Sequence, residues 1–277
     1  MAAWPVALIG AALLLAGCSS PPGTVIAVRA VPQPSQGVLQ RDDGALNAIL
    51  RHLDGELSSA SSVPSTHPDK LSPQSQEFLN SLPVLTAERI TELTAQGTAS
   101  IDLRLEALGA LSQKLSGLNS LPRAQRTALQ NQVLAATRGL TQLRRKILND
   151  TLPDVLRNDV RSITVDYPVL GFLAVDIHLS AACSFLLAAA GDLTAEAARL
   201  QPVVAPGDAA LLADVLVQAA TVSNTANSTL ASLIPLTMAG YPGNKATLLA
   251  ARGAVAAARD AVAKAHDDIA IILSHLG

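Results

Sequence analysis

Asp176 and His178 stand inside VLGFLAVDIHLSAACSFLLAAA, the apolar run from Val169 to Ala190. An aspartate taken out of water must find a partner or keep its proton. A perturbed acid in such surroundings is a candidate site. Two residues apart on a helix, the pair points to different sides. Asp176 and His178 therefore read as separate groups that could line a ligand cavity, not as a catalytic dyad. The plainer reading bonds Asp176 to an Arg or Tyr of a neighbouring helix. Near the C-terminus His266, Asp267, Asp268 and His275 crowd one helix, but no HExxH or ExxH spacing occurs. Di-iron bundles need such carboxylate–histidine spacing, so neither a metal nor a cofactor is expected. GxSxG, SxxK and P-loop signatures are also missing, and the lysine of GYPGNKAT is misplaced for a phosphate loop. The expectation is a protein that is not an enzyme. Cys183, in SAACSFLL, reads as a buried inert thiol.

A basic cluster is the other candidate. Between Arg123 and Arg161 stand eight basic side chains against three acidic ones, and Arg138, Arg144, Arg145 and Lys146 form its densest part. That face could meet an anionic envelope polymer, a lipid head group or an acidic partner. Its plainer reading is a solvated helix face, complementary to a C-terminal part with five basic and nine acidic residues. Net charge is −2 and aromatics are 2% of the chain, too few for base-stacking platforms, so no nucleic-acid partner is expected.

The elements that position these residues are helical. Hydrophobic residues make up 49% of 277, enough for a sizeable core, and Ala and Leu supply most of it. Leu46, Ile49, Leu50, Leu53 and Leu57 share one helix face. Ser72 and Pro73 open a short helix. Thr86 opens a long one, with Leu85 and Ile90 spaced as a hydrophobic staple. Its stripe runs Ile90, Leu93, Gly97, Ile101, Leu105, Leu108, Leu111, Leu115 and Leu118. After a break at 117–120, Leu129, Val133, Ala136, Leu140, Leu143 and Ile147 mark a second long helix. So short a connection makes the two antiparallel.

Pro153 starts a short helix expected to end near Val160, with SITVDYP as a connector. Pro168 can start the helix that holds Asp176, although Phe172–Leu179 also alternates as a strand would. Asp208 is expected to cap a helix carrying Leu211, Leu212, Val215, Leu216, Ala219, Val222, Ala226, Leu230 and Leu233. Asn244 should cap the last helix, which carries Leu248, Ala251, Val255, Ala258, Val262, Ala265, Ile269, Ile272 and Leu276. The fold class is all-α, an antiparallel bundle of about five long helices plus short ones over residues 43–277.

Ahead of the bundle, residues 6–16 form VALIGAALLLA, far short of the ~20 residues of a membrane span and suited to a signal-peptide core. Leu15, Ala16, Gly17 and Cys18 follow in order, and this stretch resembles the lipobox of bacterial lipoproteins. The resemblance implies cleavage of a signal peptide over residues 1–17 and diacylglycerol on the Cys18 thiol. It also implies acylation of the new amine, and Ser19 rather than Asp implies the outer membrane where the cell has one. More than one acyl chain anchors stably, since each buried CH₂ contributes ~0.8 kcal/mol. Residues 18–42, rich in Pro, Ser, Gly and Gln, read as the lipidated cysteine and a flexible tether.

These readings lead to an envelope lipoprotein facing away from the cytoplasm. Its partners would be the bilayer, through Cys18, and an envelope protein. Its expected role is a non-catalytic helical interaction or scaffold module. The alternatives are a carrier of an apolar, lipid-like molecule between helices and, more weakly, a helical membrane-inserting protein.

Overall fold

Alanine and leucine recur at three- and four-residue spacing through most of the chain, and helix is the backbone geometry that gathers them on one face. In the computed structural model, residues 50, 51, 53–55, 57, 58, 87–119 and 121–276 are described. Among them the only regular structure is helical. The long elements are α1 (Ala87–Gly117), α2 (Arg123–Asn149), α3 (Pro153–Val165), α4 (Ala174–Leu200), α5 (Ala209–Leu233) and α6 (Lys245–Leu276). The fold is an all-α bundle, as the sequence pattern predicts. The segments over 1–42, the helix expected from Ser72 and Pro73, and the cap Thr86 lie outside the described residues.

One largely helical segment organises the rest. From Pro153 to Leu200 the chain is helical apart from a break at residues 166–168. It comprises α3, a π-helical turn at Val169–Leu173, and α4. The α1–α2 hairpin packs on α3 and on the π-helical turn, while the α5–α6 hairpin packs along α4. The buried side chains of both hairpins join in one continuous core, from Leu93 to Ile272. The two groups meet at the π-helical turn. Phe172 is fully buried there, with its ring 6.4 Å from that of Tyr241 at an interplanar angle of 52°. Close by in the chain, Gln132 Nε2 of α2 donates to the carbonyl oxygen of Leu236, past the end of α5, at 3.2 Å.

Small residues set the spacing where helices cross. Gly97 of α1 meets Val160 of α3 and Ile147 of α2; a Cβ there would lie 3.0 Å from the Val160 methyl. Gly139 of α2 makes room for Tyr167. A Cβ at 139 would stand 2.3 Å from the phenol oxygen. Between α5 and α6 the buried positions include Ala219, Ala226, Ala251, Ala258 and Ala265, and such side chains let the backbones approach closely. Residue 53 lies in a stretch helical at its described positions between 50 and 58; Leu53 is buried, and Asp54 takes a two-pronged bond from Arg259 of α6 at 2.9 and 3.1 Å.

Local expectations fail at several points, each for a tertiary reason. Helix α3 does not stop near Val160 but runs through Ser162-Ile163-Thr164-Val165. Leu156, Val160 and Ile163 continue one buried face against the α1–α2 hairpin, and packing there outweighs the weak helix propensity of β-branched residues. The helix expected through Phe172–Leu179, where the alternation also allowed a strand, does form; this stretch is covered on nearly every side, so any spacing of apolar residues is satisfied. Asp208 occupies the N-cap of α5 without a capping bond. Its carboxylate instead takes the Nδ1 of His275 at 3.0 Å, tying the end of α6 to the start of α5. Asn244 spends its amide on the carbonyl of Thr237 at 3.0 Å, and its Oδ1 is buried without a partner among the described residues. Helix α5 ends at Leu233, just before Pro235 bars its continuation.

Candidate functional site

Helix α4 places Asp176 where water does not reach. From Val175 to Leu186 almost every residue is buried, and Asp176 is 1% exposed. Both carboxylate oxygens are without a hydrogen-bond partner among the described residues. The expected Arg or Tyr partner is not what the structure shows. Burial alone pushes the acid up to about 7 from its ordinary 3.8. His178, two residues on, sits half-buried on another side of the helix, so the two remain separate groups.

Ser180 and Ser184 follow Asp176 at one-turn intervals on the same face, and both are buried. Across from them Gln125, in the first turn of α2, donates from Nε2 to Ser180 Oγ at 3.1 Å. Its own Oε1 is buried without a partner among the described residues. Gln125 escaped the list of candidates, though a signal existed. It lies four residues before Leu129, on the apolar stripe of α2, where a polar side chain is out of pattern. Cys183 is buried beside this seam, and burial pushes its thiol up to about 12. A thiol held so firmly protonated is a poor nucleophile.

The basic candidates separate. Arg144 pairs with Asp102 of α1 through two bonds, at 2.8 and 3.3 Å, so it staples the first hairpin. Arg138, Arg145 and Lys146 are exposed on α2, with Lys146 close enough to Asp150 to favour its ionised form. Asp150 nevertheless lies above its ordinary value, from burial first and from the neighbouring Asp159 second. Arg126 donates to the carbonyl of Leu118 at 3.1 Å and so closes the end of α1. Local ion pairing thus employs part of the cluster in building the hairpin. At the C-terminus, Asp268 and Asp214 both face Lys264, and no group of three metal-ligating side chains occurs among the described residues.

A second feature is the outer face of α5. Two helical stretches are long and apolar enough to cross a membrane by length and composition alone. In the first, Pro153–Leu200, 78% of the apolar window is buried, as expected of core segments. In the second, Pro206–Leu233, only 28% is buried. Leu216, Val217 and Ile234 are 45%, 60% and 55% exposed on or just past α5. Leu216 was expected on the buried face and turns outward instead. Between Val217 and Ile234 the exposed positions are Ala220, Thr221, Asn224, Asn227, Ser228, Ala231 and Ser232, and Ala213 is exposed one turn before. The one charged side chain of α5, Asp214, lies to the side and bonds Lys264 of α6. About seven helical turns therefore face outward without a charge.

Comparison with family models, curated proteins and solved structures finds no match to this chain.

Proposed function

We propose that the protein is a non-catalytic interaction module, held at an envelope membrane by an acylated Cys18, that docks a helix of another envelope protein on the outer face of α5. The supporting observation is that face. Soluble helices ordinarily turn charged residues outward, and α5 presents alanine, leucine and valine with small uncharged Thr, Asn and Ser side chains instead. Small side chains suit close approach of a second helix backbone. A bilayer surface is a poorer fit, because interfacial helices combine bulky apolar anchors with Lys and Arg at their borders, and α5 has neither arginine nor lysine.

A photo-crosslinking residue at Val217, introduced in the native host, tests the docking. The expected result is one adduct of defined mass, lost when Ala220→Glu places a charge in the middle of the face. Ala220 is exposed, so that substitution should change unfolding stability by no more than about 0.5 kcal/mol. An adduct composed of two copies of this chain would replace the partner with self-association. No adduct, or one indifferent to Ala220→Glu, would refute the docking face.

The anchor is tested separately. Cys18→Ala is expected to move the protein from the membrane fraction to the soluble fraction, and continued membrane retention would refute lipidation as its attachment.

A further inference from the structure

Helix α2 carries six basic side chains and no acidic one. Its buried stripe, from Leu129 to Ile147, points into the core. An advance of 100° per residue puts Leu134, Arg138, Arg145 and Leu148 together on the opposite side. All four are exposed, the two leucines by 52% and 53%. Lys146 is exposed beside them. Arg138 and Arg145 make no salt bridge among the described residues, unlike Arg144, which is held by Asp102. The apolar character continues past the end of the helix. Leu152 is 64% exposed in the connection to α3, and Val155 is exposed in the first turn of α3. Two acids lie near this corner. Asp154 is paired with Arg157 at 3.1 Å, and Asp150 is half-buried within reach of Lys146.

Charge and leucine together select the partner. An acidic polypeptide or polymer would need only the cations. Three leucines held out in water beside them call for hydrocarbon as well. Surfaces that rest on anionic bilayers combine the two, with bulky apolar side chains at the acyl boundary and Lys or Arg among the head groups. Long basic side chains lay their stems along apolar neighbours and keep the charge at the polar edge. We propose that the outer face of α2, with Leu152 at its tip, rests on an anionic lipid bilayer. Leu134, Leu148 and Leu152 enter the acyl boundary, and Arg138, Arg145 and Lys146 meet the lipid phosphates. The contact is separate from the docking face on α5, which has no basic residue, and it does not depend on acylation of Cys18.

Trp4 is the only tryptophan of the chain, so the full-length protein with Trp4→Phe and Leu152→Trp reports on position 152 alone. It is mixed with vesicles of phosphatidylcholine alone, or of phosphatidylcholine and phosphatidylglycerol in equal parts, with acyl chains brominated near the head group. Any anchor ahead of the bundle acts in both. The expected result is blue-shifted, bromine-quenched emission with phosphatidylglycerol and aqueous emission without it. Arg145→Ala with Lys146→Ala should lower the ratio of docked to free tip roughly thirtyfold. Both side chains are exposed, so the thermal midpoint should not move. A tryptophan placed by Val217→Trp instead of Leu152→Trp should stay aqueous in both vesicles. No quenching at 152, quenching that survives the double substitution, or equal quenching at 217 would each overturn the contact. Retention on soluble polyglutamate with no quenching by lipid would give the face to an acidic polypeptide and overturn it too.

Discussion

Asp176→Asn should stabilise the protein by about 2–4 kcal/mol at pH 8 and by little at pH 4. The folded state holds this acid at about 7 by burial, against 3.8 when it is exposed. Below pH 3.8 both states are protonated and the group contributes no difference. Between there and about pH 7 the folded chain keeps a proton that the unfolded chain has lost. Stability therefore falls as pH rises through that window, since the native state binds more protons. Above about pH 7 both states are ionised, and the full cost remains. A gap of about three units at ~1.36 kcal/mol each is about 4 kcal/mol. Asparagine recovers most of it but buries an amide with its own unmet bonds, which sets the lower end of the range. Urea unfolding from pH 4 to pH 8 checks the prediction. Parallel pH dependence in the two proteins would show that Asp176 is solvated in solution.

The helices were legible where one face alone had to be apolar. Leu129, Val133, Ala136, Leu140, Leu143 and Ile147 repeat at three and four and are all buried, so stripe and core coincide. Legibility ended where a helix is covered all round or carries alanine on every side. Over Val175–Leu186 no face is distinguished, so periodicity there left strand and helix both open. On α5, alanine faces inward at Ala219 and Ala226 and outward at Ala213 and Ala220; the uncharged outer face has no signature until the fold shows which side is free. The caps failed for another reason. Asp208 and Asn244 are good local capping residues, yet His275 and the Thr237 carbonyl compete for their side chains from outside the helix. Of the candidate site, Asp176 was visible as an acid in an apolar run, whereas its lack of a partner depends on what α1, α2 and α5 bring near it. No local spacing carries that information.

Phe172→Ala is expected to cost about 3–5 kcal/mol, in the range for a buried phenylalanine, and to break the unfolding of the bundle into two steps. The reason lies in the junction between α3 and α4. The helix is interrupted at residues 166–168 and resumes through the π-helical turn at Val169–Leu173. Leu156, Val160 and Ile163 of α3 pack on the α1–α2 hairpin, while α4 beyond the junction packs on α5 and α6. The π-helical turn touches α1 and α2 and also the 3-10 turn that follows α5, and Phe172 fills it with Tyr241 near its ring. Truncation leaves a cavity at the point where coupling between the halves is concentrated. The continuous core normally makes them unfold as one, and weakening the junction alone should uncouple them. Leu140→Ala provides the comparison, since Leu140 is equally buried but sits within the first hairpin. It should cost about 2–5 kcal/mol in a single transition. Hydrogen exchange separates the cases. In Phe172→Ala the amides of α1 and α2 should exchange at a different free energy from those of α5 and α6. In Leu140→Ala and the parent protein the slowest amides of all four helices should share one value. A single value in Phe172→Ala as well would mean that the halves are joined by more than the junction at the π-helical turn.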